Sequence, residues 1–161
     1  MPSLRFAEAA NLTAVSDTLS DSAPNVVSNH TIVFTTPTGV AAGEQIVITF
    51  PSSTFDLSNL LFGDFDMATG TEVTLQNGTG SGSTWGVATT SNTITIDSGT
   101  GIIAANATVT IEIGTNATFG STGVNQIVNP ASSTYEISIA AGAMDTGATR
   151  VVILDNVEVT A

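Results

Sequence analysis

Apolar residues in this chain recur at every second position, in short runs closed by Gly, Pro, Asn, Asp or Ser. That spacing belongs to a β-strand with one buried face, and helical spacing is hardly seen. Residues 31–36 place Ile32 and Phe34 on one face, and residues 44–50 place Ile46, Ile48 and Phe50. Residues 71–75, 84–88 and 93–96 follow the same rule. The second half repeats it: Val109, Ile111 and Ile113; Tyr135, Ile137 and Ile139; then Val151, Ile153, Val157 and Val159. About nine such runs with turn residues between them predict an all-β chain, a single antiparallel β-sandwich of the immunoglobulin-like or jelly-roll kind. At 161 residues and 42% hydrophobic, the chain has enough apolar surface for one core and one domain. No run approaches the ~20 apolar residues of a membrane-spanning helix.

Two stretches are ambiguous. In "FDLSNLLFGDFDMA" (55–68), Leu57, Leu60, Leu61 and Phe65 suit a helical turn, whereas Phe62 alternating with Asp64 and Asp66 suits a strand. At the N-terminus, Leu4, Phe6, Ala10, Leu12 and Ala14 share one face of a strand that Glu8 interrupts. Three readings of this segment stay open: a strand donated to a neighbouring copy, a strand of its own sandwich, and a short helix capped by Ser3. The division expected on the first reading is a donor segment over 1–14 and a sandwich over 15–161. Leu4, Phe6, Ala10 and Leu12 then carry polymerisation, and Glu8 needs a solvated gap or a cation beside it. "MPSLRFAEAANL" has no apolar run of the signal-peptide kind, so a secreted protein is expected here in mature or trimmed form.

Charge excludes whole classes of function. Fourteen acidic residues stand against two basic ones, for a formal net charge of −12, and lysine is absent. Arg5 and Arg150 make no basic patch, so nucleic acid and anionic lipid are not expected partners. Without lysine there is no Schiff-base or P-loop chemistry, and without cysteine there is no disulfide, thiol catalysis or thiolate metal site. His30 is the one histidine, flanking a strand in "SNHTIVF", where a surface or half-buried place is expected. No serine lies in a G-x-S-x-G elbow, and few aromatic residues accompany the Asp64 and Asp66 pair. No enzyme is expected, and no cofactor other than Ca²⁺. The candidate Ca²⁺ ligands are Asp17 with Asp21 and Asp64 with Asp66, because closely spaced carboxylates offer hard oxygen donors.

Five N-x-S/T sequons, at Asn11, Asn29, Asn77, Asn106 and Asn116, are a modest excess and mark candidate glycosylation sites. Trp85 beside the Gly-rich stretch 77–83 is a candidate platform for a sugar, although a lone Trp in an alternating strand is more often core.

The phrases "ANLTAVSDTLSDSAPNVVSNHTIVFTTPTGVAAGEQIVITFP" and "VVILDNVEVTA" resemble the Ser/Thr-rich immunoglobulin-like modules in predicted surface proteins of candidate-phylum bacteria. That resemblance implies an extracellular or cell-surface setting and no activity. In its leading segment and its lack of cysteine the chain is also similar to donor-strand pilins, including archaeal bundling pili and bacterial biofilm-matrix fibre proteins. It departs from sortase-built pilins in having no lysine, and from type IV pilins in having no long apolar N-terminal helix. The function these observations lead us to expect is a structural subunit of an extracellular, pilus-like filament, a homopolymer joined by N-terminal strand donation. The alternative is an adhesive or stalk domain that binds a surface carbohydrate, with Trp85 and the 77–83 loop as its contact.

Overall fold

The computed structural model describes residues 9–155. They form strands β1 (Ala10–Asn11), β2 (Thr13–Leu19), β3 (Val27–Ser28), β4 (His30–Thr36) and β5 (Gln45–Thr49). A 3-10 turn (Phe62–Asp64) leads into β6 (Phe65–Ala68), β7 (Glu72–Val73), β8 (Leu75–Asn77), β9 (Trp85–Thr89) and β10 (Thr93–Asp97). Then come β11 (Ala107–Ile113), β12 (Ile127–Val128), β13 (Ser133–Ala141) and β14 (Asp145–Ile153). The chain is thus nearly all β, with no α-helix among the described residues. Among the described residues there are fourteen strands where about nine were expected, because pairings of two or three residues join the long strands and residues 71–75 break into β7 and β8. The ambiguous stretch resolves both ways: Phe62–Asp64 turns, and Phe65–Ala68 is extended.

Seven strands make one sheet in the order β1-β14-β13-β5-β10-β9-β8, and five make a second, β2-β4-β11-β6-β7. A two-stranded ribbon, β12-β3, lies beside them. Most pairings are antiparallel, but β1 runs parallel to β14 and β8 parallel to β9. Alternation does the packing. Ile46, Ile48, Ile94, Ile96, Ile137 and Ile139 from the first sheet join Ile32, Phe34, Met67, Val109, Ile111 and Ile113 from the second in one buried cluster. Burial of such side chains contributes about 1.5–3 kcal/mol each before ordering costs, and the branched Cβ atoms of the Ile and Val residues suit the pleated surface.

The first strand stitches the two sheets together. Ala10 and Asn11 pair with Asp145 and Thr146 in the seven-stranded sheet, and the Leu12 N–H donates to the Thr146 carbonyl at 2.8 Å. The chain then crosses to pair with β4 in the other sheet, with a bulge between Thr13 and Ser16. Ala14 takes a left-handed φ of 50° there, which is uncommon outside glycine. The extra residue shifts the phase, so Ala14 is exposed and Val15, Asp17 and Leu19 turn toward the interior. The expected face running from Ala10 through Ala14 is corrected accordingly. Ala10 pairs within its own chain, and Leu12, 6% exposed, lies in its own core. Leu4 and Phe6 lie outside the described residues.

Gly147 faces Leu12 so closely that an added Cβ would sit 2.9 Å from the leucine Cβ. The Leu12 side chain lies in the buried cluster, so replacing it by Ala is expected to lower stability by about 2–4 kcal/mol in urea denaturation. A loss below about 0.5 kcal/mol would show that this side chain does not serve the core of its own chain.

Candidate assembly surface

The sheets have two poles. At one, β4 begins with His30, β11 ends with Ile113, β6 begins with Phe65 and β14 ends with Ile153. At the other, β4 ends at Thr36, beside the β13–β14 hairpin and the start of β1. Among the described residues, the exposed large apolar side chains are Val26, Val27, Leu61, Phe62, Phe119, Val124, Val152, Leu154 and Ile102. All but Ile102 belong to the first pole. Single exposed apolar residues are ordinary, whereas their collection at one end marks a surface for contact. Phe62 and Phe119, each 46% exposed, flank a cavity of about 190 Å³ that Phe65, Val73 and Leu75 also line. A second groove of about 490 Å³ runs from Leu60, Leu61 and Phe62 to Val87.

Two buried carboxylates hold this pole in shape. Asp64 accepts the main-chain N–H of Leu61 at 2.8 Å, of Val124 at 2.7 Å and of Asn125 at 2.9 Å, plus the Asn125 side-chain amide at 2.9 Å. It thereby ties the turn that presents Phe62 to the loop that presents Val124. Burial pushes the Asp64 carboxyl up, but these donors outweigh it and hold the group below the usual carboxylate range. Asp66 accepts the Phe119 N–H and fixes the same loop at its other end. In both contacts the donors come almost wholly from the main chain.

The expected Ca²⁺ ligands do not converge. Asp64 and Asp66 are engaged as described, and Asp21 accepts the Ala23 N–H at 2.8 Å in a turn. Asp17 lies on a strand, not in a loop, and its Oδ2 is 2.7 Å from His30 Nδ1, with both side chains fully buried. His30 is thus interior, which corrects the surface or half-buried place expected for it. Its ring packs edge-on against Phe50 and Phe55, and its Nε2 has no hydrogen-bond partner among the described residues. Among the described residues no three His, Asp or Glu side chains are arranged to hold a metal ion.

Of the sequons, Asn11, Asn77 and Asn106 are exposed. The Asn29 amide instead bonds Thr115 and Gln126, and the Asn116 amide donates to the His30 carbonyl and to Thr31 Oγ1, so both are committed to the fold. Trp85 is buried, and a Cβ on Gly101 would collide with its Nε1 at 2.3 Å. The 77–83 loop lies against β9, where only glycine fits at position 86 because a Cβ would be 2.1 Å from the Gly78 carbonyl. Trp85 is thus core, as a lone Trp in an alternating strand more often is, and it offers no open face to a sugar.

Sequence reasoning missed an acidic cleft on the outer face of the five-stranded sheet. Glu112 on β11 stands directly opposite Asp66 on β6, and Glu72 on β7 lines the same cleft of about 210 Å³. Burial, then the charges of Asp66 and Glu72, push the Glu112 carboxyl up. Alternation places Glu112 opposite Asp66 only once the β6–β11 register is known.

No protein-family model and no curated protein matches the sequence. Among solved structures, the chain is similar to the crystal structure of BslA, described as a bacterial hydrophobin, at a TM-score of 0.54 and 12% identity. The likeness covers 91% of this chain and 98% of that one, and it is a likeness of fold.

Opposite protonation behaviours follow for the two acids. Asp64 contributes stability at pH values above the ordinary carboxylate range and loses it as pH falls through its lowered value. Replacing Asp64 by Asn should cost about 2–3 kcal/mol at pH 7 in denaturant unfolding, with the cost shrinking below about pH 4. Glu112 behaves inversely: its charge costs nothing while it is protonated, and stability is lost as pH rises through its raised value. Glu112→Gln should then raise stability by up to about 1 kcal/mol at pH 7, with the gain vanishing near pH 4. A gain that persists at acid pH would refute the charge argument.

Proposed function

We propose that the protein is a non-catalytic structural subunit of an extracellular assembly built from copies of itself, joined through its N-terminal segment. One observation carries this reading: the apolar pole and the point where the chain enters the fold are at opposite ends. Ala10 pairs with Asp145 at the far pole, so the segment ahead of it joins the subunit at one end, and the exposed Phe62, Phe119 and Val124 stand at the other. A contact between unlike ends of identical subunits is heterologous and propagates without closing on itself. On this reading the two sheets are an immunoglobulin-like sandwich whose first strand switches sheets, and the segment available for exchange ends before Ala10.

The fold likeness to a bacterial hydrophobin supports the apolar pole as the working surface, since a surface-active protein requires its exposed apolar side chains gathered on one side. The carbohydrate-binding alternative loses its main support with Trp85 buried.

Deleting residues 1–9 removes the joining segment but keeps Ala10 and Leu12, so the truncated protein should remain a folded β-rich monomer that forms no polymers. Negative-stain microscopy and sedimentation of the full and truncated chains compare the two directly. Polymers formed without residues 1–9 would sink the joining role, and a full chain monomeric at every concentration would sink the assembly itself.

A further inference from the structure

The acidic cleft and the aromatic cavity adjoin, and Asp66 lines both. Asp66 is only 6% exposed; one carboxylate oxygen accepts the Phe119 N–H, and the other receives no hydrogen bond among the described residues. Glu112 and Glu72 stand beside it, and the ion pairs among the described residues lie elsewhere, at Asp17–His30 and Glu136–Arg150. Like charges directly opposite one another across a ladder destabilise a sheet, so this arrangement calls for a cation.

The chemistry of that cation is constrained. The three carboxylates do not gather around a point as a metal ion needs. They are spread along a cleft, which suits a planar guanidinium with five donors in a fixed fork. Next to them lie Phe62, Phe119, Val73 and Leu75, so the cation should have an apolar neighbour. Phe65 already gives its N–H to the Phe62 carbonyl, so side chains and not a β-ladder make the recognition here. An extended segment alternates its side chains between two sides, so a cation in the cleft turns its neighbours toward the cavity.

The sequence contains two arginines, and Arg150 pairs with Glu136 at 3.0 Å. The other is Arg5, set between Leu4 and Phe6. We propose that Leu4, Arg5 and Phe6 of a second copy dock along the cleft beside β6, with the Arg5 guanidinium among Asp66, Glu72 and Glu112 and the apolar neighbours in the Phe62 and Phe119 cavity. The proposal rests on the self-assembly reading above and names its contact. A segment that enters the fold at one pole of one copy meets a cleft near the other pole of the next.

Charge exchange tests it on the full-length protein. Arg5→Glu should raise the concentration needed for assembly by about tenfold or more in sedimentation velocity, and Glu112→Arg should do the same. Combined, the two changes should restore assembly to within about threefold of the original chain. Glu72→Arg, at an exposed edge position, provides a second partner for the exchange if Glu112→Arg disturbs the fold. A synthetic peptide of residues 1–9 should inhibit assembly of the unaltered protein, and the same peptide carrying Glu at position 5 should not. If the chain assembles but is indifferent to Arg5, or the exchanged pair fails to rescue, the docking site is wrong while the assembly reading stands. If the unaltered chain never assembles, the assembly reading fails and the second-copy assignment falls with it.

Discussion

Fourteen carboxylates share two arginines and no lysine, and beyond the Asp17–His30 and Glu136–Arg150 contacts several acids are held by N–H and O–H groups, with loops organised around them. Asp64 and Asp66 fix the loop between β11 and β12 through main-chain N–H groups. At the far pole, fully buried Asp145 accepts the Thr36 and Thr38 hydroxyls and the Thr38 N–H. Asp97 accepts N–H groups of Gly80 and Gly99 and the Gln45 amide, and its carboxyl is held below the usual range, chiefly by Gln45. Hydrogen bonds to a charged acceptor are stronger than neutral ones. A chain so poor in cations can therefore use carboxylates as rivets between distant loops, with N–H groups as the donors.

The long strands were legible in the sequence because their signal is local. β4, β5, β10, β11 and β13 each write their buried face as alternate Ile, Val or Phe, and the structure buries those same residues. The first strand was less legible, since its phase changes at Ala14, an ordinary residue in a conformation that leaves no mark in composition. The two-residue pairings β3, β7 and β12 carry too little pattern to be read in advance.

The candidate surface was the least legible part, because it is made by register and by loops meeting across the chain. Asp64 and Val124 are sixty positions apart, and Asp66 meets Phe119 across fifty-three. Read locally, Asp64 and Asp66 were candidate Ca²⁺ ligands, and Trp85 was a candidate sugar platform beside its commoner place in a core. Long-range packing instead makes the aspartates acceptors for loop N–H groups and seats Trp85 under Gly101. His30 likewise read as a strand flank and turned out to be interior, since Asp17 reaches it only after the bulge has reset the phase of β2.

The crossing of the first strand also has a mechanical meaning. Tension applied to the chain ahead of Ala10 reaches the β1 pairing with β14 and then, past Leu12, the antiparallel ladder of β2 with β4. β1 runs parallel to β14 and β2 antiparallel to β4, so a pull along the strands loads these ladders in shear instead of peeling their hydrogen bonds one at a time. Because the strand belongs to both sheets in turn, the load is shared between the two layers, and Leu12 is the knot where it passes from one to the other. Extension from that end therefore meets two ladders in succession, one in each sheet.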